Sequence, residues 1–83
     1  MDEMKLQILD RVKYIAEHFD SLDLVDMVTL FVACATMFDV HSEHEPFYSS
    51  YLKIVRQMVL AKQLGASLDE PVYRLIEKIE HQM

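Results

Sequence analysis

Leu22-Asp23-Leu24-Val25-Asp26-Met27-Val28-Thr29-Leu30-Phe31-Val32-Ala33-Cys34-Ala35-Thr36-Met37-Phe38 decides the fold. It contains no glycine or proline, and its few polar residues do not alternate as those of a half-buried strand would. Asp26, Thr29, Ala33 and Thr36 recur at spacings of three and four, which marks one narrow small-or-polar face of a helix. Apart from Asp23 near its start, everything else along it is apolar. A helix with so little polar surface needs neighbours on most of its sides. The stretch therefore reads as the central helix of a bundle, with the rest of the chain wrapped around it.

Working outward, the preceding segment carries Met4, Ile8, Val12, Ile15 and Phe19 on one helical stripe, widened by Leu9 and Ala16. Asp2 and Glu3 stand at its start, where the helix dipole favours negative charge. Asp20 or Ser21 is placed to cap the central helix, because a short side-chain oxygen accepts from free first-turn N–H groups. Beyond Asp39-Val40-His41-Ser42, a third segment has a broad apolar face from Phe47 to Ala61. Leu64-Gly65 ends it, glycine being free to turn left-handed. A fourth carries Leu68, Val72, Leu75, Ile76 and Ile79. The prediction is an all-α, compact four-helix bundle with helices over about 2–19, 22–39, 45–64 and 68–82, the second central, in a single helical domain spanning 1–83. Short connections make successive helices antiparallel neighbours.

Residues 42–58 and 67–83 align without gaps and share Ser, Glu, Pro, Tyr, Lys, Ile, Gln and Met. Both open on Ser-x-x-Glu, the pattern of a capping box, followed by a first-turn proline. Two helices that start alike for the same physical reason account for this, since two units are too few to stack as an array. A duplicated helical hairpin is the alternative.

Composition limits function. The chain is 83 residues long, 52% hydrophobic, with one glycine and two prolines. A chain this short buries only about 60–65% of its unfolded surface. So high an apolar content points to burial against a second chain. The formal charge is −6, from 14 acidic and 8 basic residues. That balance disfavours direct nucleic-acid binding, which rests on cations neutralising phosphates. It also disfavours an anionic membrane surface. The longest uncharged run, Met27–Phe38, is 12 residues, about 18 Å of helix against the ~30 Å of a bilayer core. The start of the chain is charged from its second residue, unlike a signal peptide. A lone Cys34 in an apolar run fits a reducing, cytoplasmic setting.

Candidate chemistry is sparse. His41-Ser42-Glu43-His44-Glu45 has metal-ligand residue types, but the histidines straddle a helix cap and no further ligand has a specific spacing. Cys34 lacks a neighbour to activate it, and glycine-rich phosphate loops are absent. The reading is not an enzyme and implies no cofactor. It is a protein–protein interaction module, an adaptor or inhibitor of a protein partner, binding through an apolar helix face with an acidic rim. The partner surface is expected at Tyr48, Leu52, Val59 and Leu60, rimmed by Asp39, Glu43 and Glu45. Asp39 stands out, because the dipole disfavours an acid at a helix C-terminus. The module works either as a monomer or as a homodimer, the same apolar surface serving a partner or a second copy. Two alternatives follow from the same residues. One is an acidic decoy of the immunity-protein type, occupying a basic nucleic-acid-binding or toxin site. The other, more remote, is metal binding through His41 and His44.

Overall fold

The structure, a computed structural model, describes residues 3–38 and 46–81, and these form four helices. They are α1 (Glu3–Glu17), α2 (Leu24–Ala35), α3 (Pro46–Gln63) and α4 (Glu70–His81). No strand occurs among the described residues. The Cα radius of gyration is 12.1 Å, matching the roughly 12 Å of a compact chain this long.

Each helix buries the stripe that its spacing predicts. Ile8, Val12 and Ile15 of α1 are fully buried, with Phe19 following just past its end. Met27, Phe31 and Cys34 of α2, Phe47, Tyr51, Ile54 and Met58 of α3, and Val72, Ile76 and Ile79 of α4 complete one core. The helices form a ring: α1 packs on α2 and α4, and α3 packs on α2 and α4.

The ends are set by local hydrogen bonds. After α1 the chain tightens, and the Ser21 and Leu22 N–H groups both donate to the His18 carbonyl at 3.0 Å. This turn uses up residues through Leu22, so α2 begins later than its apolar pattern. Its cap is Asp23, not Asp20 or Ser21: the Asp23 carboxylate accepts from the Asp26 N–H at 2.8 Å. α3 closes on Gly65 at φ 68°, with Gly65 N–H donating to Lys62 O at 3.2 Å and Ala66 N–H to Ala61 O at 2.9 Å. This pair of bonds is the Schellman motif. Ser67 does not cap α4; the Asp69 carboxylate accepts from Val72 N–H at 3.4 Å, and Glu70 pairs instead with Arg74 at 2.6 Å. The capping box expected at 67–70 is therefore replaced by an aspartate two residues later. Its counterpart at 42–45 lies outside the described residues. Both helices still keep proline in the first turn, Pro46 in α3 and Pro71 in α4.

One architectural expectation is overturned. α2 is not central. It packs on α1 and α3 and, among the described residues, not on α4. Val25, Val28 and Val32 are 73%, 42% and 56% exposed. Four short helices around one core give each helix two flanking neighbours, and a near-uniformly apolar helix in such a ring keeps an uncovered side.

Candidate functional site: an apolar groove between α2 and α3

The uncovered side of α2 faces along α3. Val25, Val28, Val32 and Ala35 follow one another at spacings of three and four, on one helical stripe. On α3, Tyr48, Leu52, Val55 and Val59 do the same. An open groove of about 190 Å³ lies between the two stripes, with Phe31 and Tyr51 among its lining residues and Val28, Val32 and Ala35 facing Leu52, Val55 and Val59. An engineered apolar cavity of roughly 150 Å³ takes a benzene ring, so this groove has room for one large side chain.

The base of the groove is rigid for identifiable reasons. The Tyr51 phenol is buried and donates to the Phe31 carbonyl at 2.7 Å, tying α3 to α2. The Phe31 and Tyr51 rings meet edge-on at 6.3 Å. At one end Phe38 packs on Tyr51 at 5.3 Å and on Tyr48 at 4.6 Å. At the other end of α3, Lys62 donates to the Phe19 carbonyl and lies 4.3 Å from the centre of its ring.

Charge is arranged beside the groove. Arg56 follows Leu52 by one helical turn and borders the groove stripe, whereas Lys53 falls on the side of α3 that carries Leu60; both are exposed. Among the described residues neither has an ion-pair partner, the pairs there being Lys13 with Glu80 and Arg74 with Glu70. The outer edge of α2 carries Thr29, Thr36 and Asp26. Both threonine hydroxyls are turned onto their own helix, Thr29 to Val25 O at 2.8 Å and Thr36 to Ala33 O at 2.7 Å. They compete little for a ligand. The exposed charge that the described residues place beside the groove on α3 is thus the cation Arg56, while the acidic rim expected of the partner surface falls elsewhere in the chain. Asp39, Glu43 and Glu45 lie outside the described residues.

Of the apolar residues expected at a partner surface, Leu52 and Val59 line the groove and Tyr48 shares their stripe under the Phe38 ring. Leu60 does not join them. It is 51% exposed on another side of α3, in a depression with Leu64 and Val72. The α2 wall was missed, because its valines were assigned to a covered core. The signal was present in their regular spacing beside the Asp26–Thr36 face.

Other chemistry is limited in what it can do. Cys34 is buried; desolvation raises its pKa, against the charge of Arg11 and a hydrogen bond with Tyr51, which lower it. The thiol stays protonated and serves as a small apolar group. Among the described residues no three His, Cys, Asp or Glu side chains are placed to hold a metal ion. His41 and His44 lie outside the described residues. His18 stacks on Tyr14 at 4.2 Å, its Nδ1 3.0 Å from the Tyr14 carbonyl oxygen. Among the described residues no helix is long and apolar enough to cross a membrane. No family model, curated protein or solved structure matches the chain.

Proposed function

We propose that the protein is a non-enzymatic interaction module, an adaptor or inhibitor, whose docking surface is the α2–α3 groove. One observation carries the reading: the groove is lined by aliphatic and aromatic side chains, and among the described residues it stays open to solvent. Water against such a surface is released when an apolar face covers it, at about 25 cal/mol per Å². Two parallel apolar stripes suit an amphipathic helix presenting anchors at i, i+3 and i+7.

The test compares wild type with Val28→Asp and Val32→Asp as baits in the native host. Both sites are solvent-facing, so the fold should survive, which circular dichroism checks. The reading predicts a captured protein that withstands 0.5 M salt, about a 4 Å screening length, and is lost with both variants. A partner released by salt but indifferent to these substitutions would instead identify an acidic decoy. No protein specific to the wild-type bait would end the adaptor reading.

A further inference from the structure

Resting on the groove as a docking surface, we infer that a second copy of this chain supplies the helix that covers it, as a symmetric dimer with α2 of each copy laid along α3 of the other. α2 has the features such a ligand needs. Its exposed Val25, Val28 and Val32 stand at i, i+3 and i+7, the anchor pattern of a helix that docks in a groove. The anchors and the groove occupy one continuous face of the molecule. A two-fold contact requires that, since each copy gives and receives the same surface.

The charges agree in sign. Asp26 lies on the outer edge of α2, and Arg56 lies on the outer edge of α3 beside the groove, both exposed. A two-fold axis parallel to the helices sets α2 over the partner's α3 and brings these outer edges to the same side. Asp26 of one copy then comes to the side of Arg56 of the other, twice per dimer. At a net charge of −6 most faces of two copies repel each other. The edges of this face carry Arg56, which has no ion-pair partner among the described residues, and Asp26, the acid able to meet it.

Sedimentation equilibrium from about 1 to 500 μM, a range that spans weak to moderate dimers, tests this. Wild type should dimerise reversibly. Val32→Asp should weaken the dimer by about a hundredfold or more, because an unpaired carboxylate would be buried in the groove. Asp26→Arg and Arg56→Asp should each weaken it several-fold, and the two together should restore most of the loss. A monomer throughout the range, a dimer indifferent to Val32→Asp, or charge reversals that fail to compensate would each overturn the inference. The outcome separates it from the reading on which it rests. A monomeric chain whose captured partner is still lost with Val32→Asp removes the second copy and keeps the groove. A Val32-dependent dimer that captures no other protein removes the adaptor and keeps the dimer.

Discussion

Tyr51 at the base of the groove and Cys34, buried in the core beside it, are both acids that the fold keeps protonated. Burial is the largest cause in each case, raising the thiol above its ordinary 9.0 and the phenol well above its ordinary 10.0. Each binds its proton more tightly in the folded state, so each adds stability that is complete below its ordinary pKa and is lost as pH rises past it. Urea unfolding should therefore show these contributions in full and unchanging with pH near neutrality, and a stability that falls from about pH 9 upward. Tyr51→Phe should cost about 1 kcal/mol at pH 7 through the lost bond to Phe31, and should make the alkaline fall shallower. An equally steep fall in the variant would mean that Tyr51 is not the group responsible. The sequence gives Cys34 its apolar surroundings directly, through its immediate neighbours. It gives no hint of Tyr51 meeting Phe31, because twenty residues separate them and only the packing of α3 on α2 joins them.

Among the helices, existence was easy to read and boundaries were not. All four follow from apolar spacing, which reports the face that a helix buries. Ends depend on which of several capable side chains takes the free N–H groups, and Asp20, Ser21 and Asp23 are all chemically able. The three-dimensional turn at His18–Leu22 decides it. Gly65 was legible because left-handed backbone is hard for any other residue. Gly65→Ala should destabilise by about 1 kcal/mol from backbone strain alone, since an added Cβ meets no atom within 4 Å. Asp23→Ala should cost about as much by uncapping α2, whereas Asp23→Ser, which keeps an acceptor, should cost little. Equal losses from the alanine and serine variants would show that the cap bond contributes nothing.

Across the whole molecule, composition indicated an apolar excess without locating it. Counting polar residues on the second helix led to a centre that three others must cover. Periodicity shows how wide an apolar face is, but the number of neighbours depends on how many helices the chain can supply. With four short helices in a ring, the surplus falls on α2 and leaves the α2–α3 groove open. Half of the expected apolar partner residues, Leu52 and Val59, line it, while the α2 wall was hidden by the expectation of complete burial.

That open side is the central claim, and two substitutions on one helix test it. Met27→Asp and Val32→Asp place the same charge five residues apart, one at a fully buried position and one at an exposed position. Thermal unfolding is followed by circular dichroism at about 1 μM, low enough that any dimer adds little to stability. Val32→Asp should stay within about 0.5 kcal/mol of wild type, as exposed substitutions do. Met27→Asp should lose several kcal/mol or fail to fold, because a carboxylate would enter the core. If Val32→Asp unfolded the chain as Met27→Asp does, α2 would be covered on that side, and there would be no groove for a partner.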